Sequence, residues 1–163
     1  MDSNNRALIA SVGNILLSDD AFGAAVIRRL AARLLDDNVR VADFGIRSVH
    51  LAYEILREKY QTVIIVDAMS RGGAPGDLYI LDPSQADGRD CDTVAAASLT
   101  SETVIRLLRK LSARPKRLLF VGCEPQTLNQ DIGLSEPVDH AVGKAVEIIL
   151  RTLNEHESAS AEA

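Results

Sequence analysis

The chain has 163 residues, 47% hydrophobic and 25% charged, the balance of a single globular domain able to bury a core without disulfides or a structural metal. A net charge of -5, with 4% aromatics and no Trp, excludes a phosphate-backbone binder, which needs a basic face and often stacking rings; no nucleic-acid partner is expected. Cys91 and Cys123 are too few for a disulfide framework, and MDSNNR followed by a short apolar run is neither signal peptide nor membrane span, so a cytoplasmic protein without membrane insertion is expected. The acids Asp2, Glu155, Glu157 and Glu162 sit at the two ends, leaving the body nearly neutral. The organisation expected is a flexible head over 1–6, one domain over 7–154 and a disordered tail over 155–163.

Ala7 to Val12 is a short apolar run ending at Gly13, the pattern of a strand buried on both faces. After the loop GNILLSDD, Phe22, Val26, Ile27, Leu30 and Leu34 recur at helical spacing between Ala21 and Leu35, with Ser18 or Asp19 as N-cap. Val39 to Phe44 predicts a second strand, and Leu51, Ile55 and Leu56 a helix ending near Tyr60. Thr62 to Ala68, TVIIVDA, is the strongest strand pattern in the chain. The connector Arg71–Gly76 is too short for a crossover helix, so the strand Asp77–Leu81 must run antiparallel to the others. Asp82 to Ser98 has no period and reads as a long loop. Val104, Ile105, Leu108 and Leu111 mark a third helix and Arg117 to Cys123 a fifth strand. Ser135-Glu136-Pro137 opens a last helix that runs to Leu153.

Alternating strands and helices imply an α/β protein with helices on both faces of a mostly parallel sheet, and ligands in such sheets bind at the carboxyl ends of the strands. If right-handed crossovers give the order 2-1-3, Asp19, Asp20 and Asp67 converge on one crevice, and the loop carrying His50 opens on the same edge. Each has a plainer reading: Asp19 and Asp20 as first-turn acids that complement a helix N-terminus, His50 as a solvent-facing side chain. Asp67 is different, because a lone acid closing an apolar strand must be hydrogen-bonded, metal-bound or at a wet cleft. His140 falls on a solvated helix face, and Cys123 reads as a small buried hydrophobe. There is no HExxH, GxSxG, Walker A or GxGxxG pattern, which leaves paired carboxylates and perhaps a metal-held water as the available chemistry.

GNILLSDDAFG (Gly13–Gly23), VIIVDA, GGAPG, FVGCEP and IGLSEPV, in this order from Ala7 to Leu153, resemble the hydrogenase maturation proteases. The resemblance implies a three-layer α/β/α sandwich of phosphorylase/hydrolase-like type, sheet order 2-1-3-5-4 with strand 4 antiparallel. It implies an endopeptidase that removes the C-terminal extension of a nickel-iron hydrogenase large-subunit precursor once nickel is loaded, acting as a monomer. The nickel would arrive within the substrate, and none is expected tightly bound to the free protein. Of the family's three metal-contacting positions, two map to Asp20 and Asp67, which are also the expected catalytic groups. The third, a histidine before the third helix, falls at Ala97 or Ser98; His50 is the expected substitute ligand. Asn14, Asp19 and Arg47 are expected to contact substrate, Arg47 through its guanidinium on a carboxylate or on the extended peptide. A non-proteolytic checkpoint or chaperone module that binds a large subunit, and a flavodoxin-like small-ligand binder, are the alternative readings.

Overall fold

Strands covered on both faces need apolar side chains at every position, and the two longest apolar runs supply the sheet's interior. A computed structural model describes residues 5–33, 35–83, 99–112 and 115–161. In it Ala7–Ser11 (β1) and Thr62–Ala68 (β3) are buried throughout and pair in parallel, Leu8 opposite Val63 and Ser11 opposite Val66. Val39–Asp43 (β2) adds in parallel to β1, and Arg117–Cys123 (β5) in parallel to β3. Leu78–Leu81 (β4) lies antiparallel on the outer edge of β5. The order is β2-β1-β3-β5-β4, as expected, with the reversed strand where the short connector required it.

The period of two along each strand divides the core. Ala7, Ile9, Ile64 and Val121 face one layer, built by Phe22–Ala31 (α1) and Glu136–Ala161 (α4) through Phe22, Val26, Leu30, Val142 and Ile149. Leu8, Ala10, Val63 and Phe120 face the other, built by Ser48–Glu58 (α2) and Leu99–Lys110 (α3) through Leu51, Ile55, Val104 and Leu108. The result is the α/β/α sandwich, with β1 and β3 at its centre.

Three boundaries differ from expectation. The first helix begins only at Phe22, because Ser18–Ala21 forms a separate 3-10 turn; it ends at Ala31, where the chain turns to bring Asn38 against the start of β1. Leu34 lies outside the described residues. Neither Ser18 nor Asp19 caps α1, whose N-cap is Ala21 without a side-chain bond. At the other end α4 does not stop near Leu153 but continues through Ala161. There Ser158 Oγ donates to the Asn154 carbonyl at 3.0 Å, and the Glu157 carboxyl lies beside Asp36, which raises its pKa. No helix among the described residues is long and apolar enough to cross a membrane.

Ile149 is fully buried between α4 and the sheet. Ile149→Ala should cost about 2–5 kcal/mol in urea denaturation, with the slope unchanged, since the helix cannot collapse onto the space left.

Candidate functional site

The site is built where β1, β2 and β3 end together. Val12 N–H donates to the Val66 carbonyl at 3.1 Å, carrying β1 past its last paired residue, and the chain then bends at Gly13 (φ 138°). A side chain at Gly13 would strike the Asp20 carbonyl, and one at Gly23 would meet the Val66 carbonyl at 2.7 Å. These two glycines let the loop fold back over the sheet edge and α1 press onto β3, which brings Asp20 close to the strand end that carries Asp67.

The adjacent acids Asp19 and Asp20 separate. Asp19 is fully buried, and its carboxylate accepts four hydrogen bonds from the segment after β5: Gln126 N–H (2.8 Å) and Thr127 N–H (3.1 Å) on Oδ2, Ser135 N–H on Oδ1 (2.7 Å), and Ser135 Oγ–H on Oδ2 (2.8 Å). Its oxygens are turned inward and taken by the protein's own loop. Asp20 is half-buried and accepts the Asn14 N–H at 2.6 Å. Desolvation raises its pKa against the lowering effect of that one N–H. Asn14 thus meets the site through its backbone, while its side-chain oxygen accepts Leu16 N–H at 2.9 Å.

Asp67 is fully buried at the end of β3, where Ser101 Oγ, itself buried in the first turn of α3, donates to Oδ2 at 2.7 Å. Ser101 was not singled out from sequence; only the apolar pattern of Val104, Ile105 and Leu108, read one turn back, signals a polar residue facing the sheet. Asp43 was also missed. It closes β2 opposite Ser11, and its Oδ1 accepts Ser11 Oγ–H (2.8 Å) and Gly45 N–H (2.9 Å). An acid ending a strand, the signal used for Asp67, would have found it.

His50 and Arg47 do not join the carboxylates. His50 is exposed on the first turn of α2. Arg47 folds back on its own turn, Nε donating to the Phe44 carbonyl and Nη2 to the Asp43 carbonyl, both at 3.3 Å. Among the described residues no three His, Cys, Asp or Glu side chains come close enough to hold a metal ion, so the expected trio of Asp20, Asp67 and His50 is not formed. Ala97, Ser98 and Cys91 lie outside the described residues. His140 is exposed, 3.7 Å from Glu136, and Cys123 is buried, its thiol pushed up to about 12 chiefly by desolvation.

The connector after β3 has its own anchor. Glu124, nearly buried after β5, accepts Arg71 N–H (2.8 Å), Gly72 N–H (3.3 Å) and Tyr79 O–H (2.7 Å). Burial pushes its pKa up, but these donors together outweigh burial and hold it below the usual carboxylate range. Burial and the bond to Glu124 push Tyr79 up to about 12.

The fold has known counterparts. A family profile described as hydrogenase maturation protease matches residues 24–152. The chain is 32% identical over 152 residues to the hydrogenase 2 maturation protease of Escherichia coli, covering 92% of each, and 29% identical to the coenzyme F420 hydrogenase subunit delta of Methanothermobacter thermautotrophicus, covering 92% of this chain and 96% of that one. Its structure superposes on the hydrogenase maturating endopeptidase HybD from E. coli with a TM-score of 0.81 at 31% identity, covering 92% and 93% of the two chains. The [NiFe] hydrogenase maturation protease HycI from Thermococcus kodakarensis superposes with a TM-score of 0.73 at 25% identity, covering 92% and 93%. The chain belongs to the hydrogenase maturation protease family.

Two measurements check the anchors. Asp19→Ala should lose about 3–5 kcal/mol in urea denaturation, because four buried donors lose their acceptor at once. For Glu124 the lowered pKa means that its stabilisation is present above the unfolded-state pKa and is lost as pH falls through the folded value. The difference in Tm between wild type and Glu124→Gln should therefore be largest near neutral pH and close below the usual carboxylate range.

Proposed function

We propose that the chain removes the C-terminal extension of a nickel-iron hydrogenase large-subunit precursor, with Asp20 and Asp67 meeting a nickel ion carried within that substrate. The observation that supports it most is Asp20 in the turn that follows β1 and Asp67 at the end of the adjoining β3, in a family member whose relatives match along nearly the whole chain. Ser101 Oγ–H on Oδ2 fixes the orientation of the Asp67 carboxylate at the end of β3. A cation beside Asp20 would offset the desolvation that raises its pKa. Nickel accepts imidazole and carboxylate ligands; with two carboxylates from this chain, the remaining ligands come from the precursor.

Hydrolysis then needs a water directed at the scissile carbonyl carbon. The water oxygen bonds to that carbon, the C–N bond breaks, and the water's proton passes to the leaving amine. A carboxylate at the crevice can take that proton from the water and pass it to the amine, which gives Asp20 the role of base and then acid. The competing reading, a module that binds the precursor without cutting it, draws on the missing histidine and on the absence of a three-ligand cluster among the described residues.

Intact-mass analysis of a nickel-loaded precursor separates the two. Wild type should shorten it by one cut, Asp67→Asn should be slower by at least about 100-fold, and His50→Ala should match wild type. Full activity in Asp67→Asn would remove its assigned role, and binding without any mass change in wild type would favour the module.

A further inference from the structure

Among the described residues, exposed large apolar side chains gather at the carboxyl edge of the sheet, with Ile15 55%, Leu16 58% and Ile132 81% exposed. They border a groove of about 360 Å³ between the start of α1 and the loop before α4, within the roughly 300–1,000 Å³ range of ligand clefts. The loop after β1 lines it with Ile15 and Leu16, the loop before α4 with Ile132 and Leu134, and α1 with the small Ala24 and Ala25. The two loops are tied together. Asp131 N–H donates to the Leu16 carbonyl (3.1 Å), Ser18 N–H to the Asp131 carbonyl (3.0 Å), and Ser18 Oγ–H to the Asn129 carbonyl (2.7 Å). The groove is thus preformed, and filling it orders little of the protein.

Two features say what fills it. The groove adjoins the loop that carries Asp20, since its lining residues Ile15 and Ala21 directly follow Asn14 and Asp20, which are themselves joined by the Asn14 N–H bond. Its single cation, Arg28, is exposed and makes no ion pair or hydrogen bond within the described residues, whereas its single acid, Asp139, lies in the first turn of α4 and complements that helix's dipole. An apolar channel that starts beside the cutting site and carries an unused guanidinium fits an extended peptide with apolar side chains and a carboxylate.

We propose that this groove receives the precursor segment that is cut away, apolar side chains lying between the two walls and a carboxylate on Arg28. The proposal rests on the proteolytic reading above and deepens it, by assigning a place and a chemistry to the extension. The carboxylate is either an acidic side chain or the chain terminus.

The test uses the full chain, a nickel-loaded precursor and a fluorescein-labelled synthetic peptide of that precursor's extension. Ala24→Phe fills the groove and Arg28→Glu reverses its charge. Each should raise KM for the precursor about tenfold with kcat within about twofold, and weaken the peptide by a similar factor in fluorescence anisotropy. Amidating the peptide's C-terminus, or replacing its acidic side chains by amides, identifies which carboxylate meets Arg28; loss of affinity in one of these arms is expected, and loss in neither overturns the charge pairing. Unchanged KM and unchanged peptide affinity in both variants would overturn the groove while leaving wild-type cleavage intact. If wild type does not cleave, the proteolytic reading fails and anisotropy alone decides the groove. Arg28→Ala serves should Ala24→Phe not fold by circular dichroism. A wild-type dimer in light scattering that Ala24→Phe dissociates would give the groove to a second copy instead.

Discussion

The arrangement of the sheet's working edge depends on one buried carboxylate. Asp19 has no exposure, and a carboxyl buried in that position is tolerable because four donors meet it. All four come from residues 126–135, more than a hundred positions away in the chain. The loop after β1 is thereby stitched to the segment after β5, and the Leu17–Asp131 bridge and the start of α4 follow from it. Ser18 accepts a left-handed backbone (φ 49°) to make this possible, a local cost of order 1–2 kcal/mol repaid by its own bonds to Asn129 and Asp131.

That stitch also divides two neighbouring acids between different tasks. In a 3-10 turn successive side chains point about a third of a revolution apart, so a carboxylate turned inward at position 19 leaves the next one at the crevice. Asp20 keeps a single backbone donor and a raised pKa, the condition of a group available for proton transfer or for a cation. Structure and chemistry are supplied by adjacent residues of the same type, distinguished only by what surrounds them.

The acidity of this edge is in large part a device for holding loops. Asp20 accepts Asn14 N–H, Asp43 accepts Gly45 N–H, Asp19 accepts three N–H groups and a hydroxyl, and Glu124 accepts the N–H groups of Arg71 and Gly72. Loops that leave parallel strands present unpaired N–H groups, and a carboxylate satisfies several of them at once. Acids clustered at strand ends in the sequence therefore mix anchors with reactive groups, and only their donors tell them apart.

The sequence by itself determined the sheet. Apolar runs at β1, β3 and β5, helical spacing between them and a connector too short for a crossover imply a mostly parallel sheet with β4 reversed, since burial patterns and connection lengths are local quantities; the full order 2-1-3-5-4 followed from the resemblance to the family. It also marked Asp20 and Asp67 as acids at strand ends. It did not reveal that Asp19 is an anchor, that Ser101 orients Asp67, that Asp43 shares the edge or that His50 stands apart, because each of these depends on a partner distant in the chain or on which way a helix face turns. The length of α4 was misjudged for a related reason. The polar stretch after Leu153 has little helical amphipathicity to read, and its contact with Asp36 exists only once the first and last helices lie side by side. Which residues form elements was written in their order; which acids are free to act was decided by the hydrogen bonds that folding supplies.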